Sequence, residues 1–313
     1  MNARRHQRRR LVPAAIAAIL FVLLAGAGPA DATWSIVGVD PETGEVGVAV
    51  ASCVGFEVTV VPILVPGVGA GASQALLSGK SGDRFLESMV TGVDAQQVID
   101  AIVAADGQPD DRQFGAVVLG GSGAGWSGAD NTDVSIDRRN ADQTAASQGN
   151  ILLDAAVVEN ALAAFDATTG SLADRLVAAL VAGADSGGDS RCDEQTATAA
   201  ALIVAAPDDI AYAETDASVR GVDPDDTEVP SVFVSVLIKR GGERAPDRLA
   251  QVWADADTSA DAIAIRQVDD GADTAAGQVR TVALVLVAVG LAVVVVGPVM
   301  FVRSRIRRRR STD

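Results

Sequence analysis

The sequence predicts a layered α+β domain that is exported and then followed by one C-terminal transmembrane helix. Three observations predict it. Strands come in groups with helices in pairs between them, the element order of layered sheets and helices. The N-terminus reads Arg4, Arg5, Arg8, Arg9 and Arg10, then an apolar run from Leu11 to Leu24, then small residues up to Ala30-Asp31-Ala32, which is the order of a secretory signal peptide. The far end carries an uncharged run from Thr281 to Val302, longer than the roughly 20 residues a helix needs to cross a bilayer core. Arg303, Arg305 and Arg307 to Arg310 follow it, and basic residues beside a span stay cytoplasmic.

These features divide the chain into a signal peptide over 1–32, an extracytoplasmic domain over 33–254, an acidic flexible stalk over 255–280, a transmembrane helix over 281–302 and a basic cytoplasmic tail over 303–313. Export by the general route or, from Arg8-Arg9 followed by Leu11, by the twin-arginine route is left open. An uncleaved leader acting as a second anchor is a weaker reading.

Within the domain, Trp34 to Val39 and Val46 to Ser52 read as a β-hairpin, because Asp40-Pro41-Glu42-Thr43-Gly44 is turn chemistry. Val58 to Val65 reads as a third strand interrupted by Pro62, and Gly67, Gly69 and Gly71 as a loop or a close backbone approach. Helices are expected over Ser81 to Val90 and over Asp94 to Ala105, the second with an acidic N-cap and apolar residues at helical spacing. Phe114 to Leu119 reads as a strand and Gly120 to Gly128 as a hairpin turn, since it lacks the lysine of a phosphate loop. Asn150 to Phe165 and Leu172 to Ala182 read as two more helices. Thr196 to Ala205 and Val232 to Ile238 read as strands, and Pro246 to Trp253 as a closing helix.

Composition narrows the functions. The chain has 25 basic and 41 acidic residues, and eleven of the basic ones sit in the two ends, so the part between them is close to −25. That charge argues against nucleic acid as a partner. The only histidine is His6, inside the leader. A Ser-His-Asp or Cys-His triad is therefore excluded from the mature protein, and so are histidine-bearing zinc sites. No metal or cofactor is expected, since acidic pairs such as Asp225-Asp226 lack the spacing of a calcium loop. The two cysteines, Cys53 and Cys192, lie in the exported part, where a disulfide persists; the alternative is two buried thiols.

Cleavage after Ala32 makes Thr33 the new N-terminus. A threonine hydroxyl is a weak nucleophile, but a free α-amine on the same residue, with a pKa of about 7.7–8.0, serves as its base. One cleavage then creates nucleophile and base together, with no histidine needed. The alternative is that Thr33 merely begins a strand, and Ala27 and Ala30 are other cleavage points.

Several segments carry a resemblance. Thr33-Trp34-Ser35-Ile36-Val37, followed by Asp40-Pro41-Glu42-Thr43-Gly44-Glu45-Val46-Gly47-Val48-Ala49-Val50-Ala51-Ser52, resembles the opening of a family known as domain of unknown function 1028. Gly67-Val68-Gly69-Ala70 with Ser73-Gln74-Ala75, then Gln148-Gly149-Asn150, then Gly187-Gly188-Asp189 leading to Gln195-Thr196-Ala197, resemble its later parts in order. The family is grouped with the N-terminal nucleophile (Ntn) hydrolases. The resemblance therefore implies a four-layer αββα sandwich of the Ntn-hydrolase type and Thr33 as the nucleophile.

The supporting candidates follow. Asp40 orients the hairpin or the amine. Ser52 faces the site or fills a small space, and Asn150 donates to an oxyanion or caps a helix. Gln148 lines the substrate pocket or belongs to a helix N-terminus over Gln148 to Asn150, and Asp189 and Gln195 line the pocket or fix a turn. The expectation is an N-terminal-threonine amide hydrolase outside the cytoplasm and held at the cell membrane, acting on cell-wall or peptide amides. The alternative is a non-catalytic ectodomain of the same fold that binds a wall component or a protein.

Overall fold

The computed structural model of the chain describes residues 32–91, 94–131, 134–213, 230–260 and 262–269. The predicted hairpin forms, with β1 (Thr33–Val39) antiparallel to β2 (Val46–Ser52) and Thr33 opposite Ser52. Its turn closes because Asp40 Oδ1 accepts the N–H groups of Glu42 and Thr43, at 2.8 and 3.4 Å, and Gly44 takes a left-handed conformation at φ 78°.

This hairpin lies inside a seven-stranded sheet. On one side β1 pairs with β8 (Ala145–Leu152), placing Thr33 opposite Asn150, and β8 pairs with β7 (Val134–Arg139). On the other side β2 pairs with β9 (Ala199–Ala205) and β9 with β11 (Val232–Leu237). The edge strand β12 (Ile263–Val268) runs parallel to β11. A second sheet has the order β10 (Tyr212–Ala213), β3 (Pro62–Val65), β4 (Gly69–Ala75), β5 (Arg112–Val118) and β6 (Gly123–Ser127).

Five α-helices and three short 3-10 helices, Val58–Val60, Pro109–Asp111 and Ser190–Gln195, supply the rest of the described regular structure. On the small sheet lie α1 (Gly79–Thr91) and α2 (Ala95–Ala105), and α2 starts where Asp94 Oδ1 accepts the N–H groups of Gln96 and Gln97. On the large sheet lie α3 (Ala156–Ala167), α4 (Leu172–Asp185) and α5 (Ala245–Asp255). A capping box between Ser171 and Asp174 opens α4.

Strand alternation sorts the side chains. Trp34 and Ile36 of β1 pack beneath the helices, while Val37 and Val39 pack between the two sheets with Val46, Val48 and Val50 of β2. Thr33 and Ser35 share the inward parity of Val37, so they belong to the layer between the sheets.

The expected fold class, an α+β four-layer αββα sandwich of the Ntn-hydrolase type with a C-terminal transmembrane helix, is corrected. Helices flank both sheets, but strands and helices interleave: α5 is the crossover between the parallel strands β11 and β12. The fold is a mixed α/β one with two sheets. Among the described residues no helix is long and apolar enough to cross a membrane, so a C-terminal span finds no support, and 281–302 lies outside the described residues. Residues 1–31 of the expected signal peptide, the end of the expected stalk and the expected basic tail over 303–313 also lie outside them.

Several local expectations change as well: the expected third strand is a 3-10 helix over Val58–Val60 followed by a strand from Pro62, and most of the stretch expected as a hairpin turn is strand β6, Gly123–Ser127. Part of the expected stalk, Ile263–Val268, is a sheet strand. The glycines read as a loop fall in or beside β4; a Cβ at Gly71 would run into the Phe85 ring, so the missing side chain lets α1 pack close. Asn150 is not a helix cap, because it lies within β8 and the helix starts at Ala156.

Candidate active site

The inter-sheet layer is apolar through most of its depth and turns polar at the Thr33 end. Thr33 is 3% exposed and its preceding residue, Ala32, is 0% exposed. Thr33 Oγ1 donates to Ser52 Oγ at 3.3 Å, and Ser52 Oγ donates to the Ala32 carbonyl oxygen. Arg191 Nη2 donates to the same oxygen at 3.1 Å. The peptide carbonyl just before Thr33 is thus gripped by two donors, one of them cationic.

Below it, side-chain amides from both sheets interlock. Gln74 of β4 donates through Nε2 to the Thr33 carbonyl at 3.1 Å and to Gln113 Oε1 at 2.8 Å, and its Oε1 accepts from Ser35 Oγ at 2.6 Å. Gln148 Nε2 donates to Ser35 Oγ. Gln113 of β5 donates through Nε2 to the Gly149 carbonyl at 2.8 Å, and its Oε1 accepts from Asn150 Nδ2 at 3.0 Å. These groups are buried, so each partner found offsets a desolvation cost of about 1–3 kcal/mol. Two acceptors, Asn150 Oδ1 and Gln148 Oε1, have no hydrogen-bond partner among the described residues.

Beside the hydroxyl pair stands a second fixture. Asp189 is 0% exposed, and its carboxylate accepts from Cys53 N–H at 2.7 Å, Arg191 N–H at 3.0 Å, Arg191 Nε at 3.1 Å and Arg191 Nη2 at 2.8 Å. Cys53 and Cys192 form a disulfide with Cα atoms 5.7 Å apart. The bridge joins the residue after Ser52 to the residue after Arg191.

The structure therefore gathers Thr33, Ser52, Asn150, Gln148 and Asp189 at one end of the sheets. It does not bring Asp40 there. Asp40 holds the turn at the opposite end of β1, roughly 20 Å of strand away from Thr33. Gln195 fixes a loop instead, donating to the Lys239 and Glu243 carbonyls at 3.1 and 3.0 Å and accepting from Gly241 N–H at 3.0 Å. Asn150 lies beside Thr33, with one of the two N–H groups of its Nδ2 donated to Gln113 Oε1. Sequence reasoning missed Arg191 and Gln113. Gln113 carried a signal, a polar residue directly before the apolar run Phe114 to Leu119; Arg191 carried none beyond its place beside Cys192.

Comparison with known proteins shows the family and the fold. The family described as "Family of unknown function (DUF1028)" matches residues 33–230, beginning at Thr33 itself. A crystal structure of a Silicibacter pomeroyi protein, assigned to DUF1028, is similar with a TM-score of 0.55 and 24% identity, over 71% of this chain and 85% of that one. At that identity the likeness shows the fold alone. No curated protein matches the chain.

Proposed function

The chain belongs to the DUF1028 family, whose function is unknown, and on that premise we propose that it is an N-terminal-threonine amide hydrolase, grouped with the Ntn hydrolases and working outside the cytoplasm. The observation that carries the reading is the placement of Thr33. It is the first residue of a central strand, buried among polar groups, with its hydroxyl on Ser52 and its preceding carbonyl held by two donors.

Loss of residues 1–32 frees the α-amine of Thr33. That amine takes the hydroxyl proton while Thr33 Oγ1 attacks the carbonyl carbon of an amide. The C–N bond breaks, the leaving amine receives the proton, and water hydrolyses the ester left on Thr33 by the same route. Asn150 Oδ1 supports the arrangement: a buried acceptor without a partner among the described residues, on the residue paired with Thr33, suits an N–H of the freed amine. The Cys53–Cys192 disulfide supports an oxidising compartment.

The test is the N-terminus of the isolated protein together with a Thr33→Ala variant. A protein beginning at Thr33 that hydrolyses amides, and loses turnover but not fold in Thr33→Ala, fits the reading. Full activity in Thr33→Ala ends it. The burial of Ala32 favours a second reading, a binding ectodomain that keeps residues before Thr33 and is indifferent to Thr33→Ala.

A further inference from the structure

The two donors on the Ala32 carbonyl have a consequence for the substrate. We propose that Ser52 Oγ–H and Arg191 Nη2–H form the hole that holds the substrate's carbonyl oxygen as it becomes an oxyanion, with Asp189 and the Cys53–Cys192 bridge as the positioning clamp. The proposal rests on the N-terminal-threonine reading.

The Ala32 carbonyl is a peptide carbonyl bonded to the Thr33 nitrogen, the acyl group that immediately precedes the proposed nucleophile. Its oxygen accepts from Ser52 Oγ and from Arg191 Nη2 at 3.1 Å. When residues 1–32 are removed that oxygen leaves, and its place between Arg191 Nη2 and Ser52 Oγ, the latter 3.3 Å from Thr33 Oγ1, is open to the oxygen of another acyl group. Two donors aimed at one carbonyl oxygen are what acyl transfer requires, and a charged donor is stronger than a neutral one.

The clamp sets which chemistry fits. Arg191 spends Nε and one N–H of Nη2 on the two oxygens of Asp189, at 3.1 and 2.8 Å. The Nε–Nη2 face of the guanidinium is thereby fixed on Asp189, which aims the second N–H of Nη2 at the Ala32 carbonyl oxygen. A single oxygen bound in this way suits the carbonyl of an amide or ester. Asp189 also takes the Cys53 N–H at 2.7 Å, and the disulfide closes the circuit from Ser52 to Arg191 across a sequence separation of 139 residues.

In the reaction Thr33 Oγ1 bonds to the carbonyl carbon, its proton goes to the Thr33 amine, and the C=O pair moves onto the oxygen between Ser52 and Arg191. The return of that pair expels the leaving nitrogen or oxygen, which takes the proton.

The experiment uses the full chain, exported and isolated with Thr33 as its N-terminus, and a β-lactone probe. A nucleophilic hydroxyl opens the lactone at its carbonyl, forming an ester that adds the whole lactone mass. The rate of ester formation at Thr33 is read by intact mass against lactone concentration, with peptide mapping for the site. Arg191→Met and Ser52→Ala are each expected to lower the limiting rate about 100-fold or more, with little change in half-saturating concentration. Arg191→Lys keeps the ion pair with Asp189; its thermal midpoint and disulfide should match the parent protein while the limiting rate still falls, which a merely structural role would not produce. If Arg191→Met and Ser52→Ala label within twofold of the parent while Thr33→Ala is unlabelled, the nucleophile stands and the hole is overturned. If Thr33→Ala labels as fast as the parent, the nucleophile reading falls and takes the hole with it.

Discussion

Replacing Cys53 and Cys192 together by alanine removes a cross-link that spans 139 residues of sequence. In the chain-entropy description, closing a loop of that length withholds about 5 kcal/mol of freedom from the unfolded chain at 25 °C. Both half-cystines are buried, at 7% and 5% exposure, and alanine leaves no unpaired polar atom in their place. The double variant is therefore expected to lose close to the entropic figure. For a domain of this size, with a urea slope of about 2–3 kcal/mol/M, that is a fall of about 2 M in the unfolding midpoint. The assay is equilibrium urea unfolding of the full chain followed by tryptophan fluorescence, with the slope compared as well as the midpoint. Reductant added to the parent protein should reproduce the same fall, and added to the variant should do nothing. A midpoint shift under about 0.5 M would refute the reasoning, because it would mean that the bridge does not restrain the unfolded ensemble.

Two further outcomes follow from charged groups. Burial alone would push the Asp106 carboxyl up, but hydrogen bonds from Gln108 N–H and Ser81 Oγ–H and the Arg112 guanidinium outweigh it and hold the group below the usual carboxylate range. A carboxyl depressed in the folded state contributes stability above its unfolded pKa of about 3.9, and that contribution is lost as pH falls through the lower folded value. Asp106→Asn should cost about 3 kcal/mol near neutrality, because buried Arg112 keeps the Leu76 carbonyl but loses its carboxylate, and its urea midpoint should fall less than the parent's between pH 5 and pH 3. Arg266→Leu should cost about 1–2 kcal/mol by thermal melting, since buried Glu57 then loses the guanidinium that reaches it from β12 at 2.8 Å. An unchanged melt would mean that β12 is not docked.

The hairpin was legible because turn chemistry at Asp40 to Gly44 sits between two runs of strand formers, and a hairpin that starts at Thr33 already puts Thr33 across from Ser52. The helices with a polar cap and a clear stripe, α2 and α4, were legible for the same local reason. Strand β4 was not, because Gly69 and Gly71 lower strand propensity locally and are explained by contacts made later: a side chain at 71 would meet Phe85 from α1. Strand β8 was hidden by Asn150, which looks like a helix cap until its side chain is seen bonded to Gln113 on the other sheet. Strand β12 was hidden by its acidic, small-residue neighbours and by its place on the sheet edge, where half of its residues stay in water. The site was half legible. Thr33 and Ser52 follow from local pairing, whereas Arg191 reaches Ala32 across 159 positions, and nothing local announces such a contact.

The frame beneath Thr33 is made of Ser35, Gln74, Gln113, Gln148 and Asn150, hydroxyls and amides that neither gain nor lose a proton between pH 5 and 9. The chain's one histidine is His6, on the far side of the proposed cleavage point. A freed α-amine at Thr33, with a pKa of about 7.7–8.0, then becomes the one group of the nucleophile and its amide frame that changes charge near neutrality. The rate of Thr33 acylation should rise with a slope of one proton and level off above about pH 8. A chain still carrying residues 1–32 has an amide nitrogen at that position and gives no such curve. A silent scaffold thus turns an ordinary pH titration into a record of whether those residues have been removed.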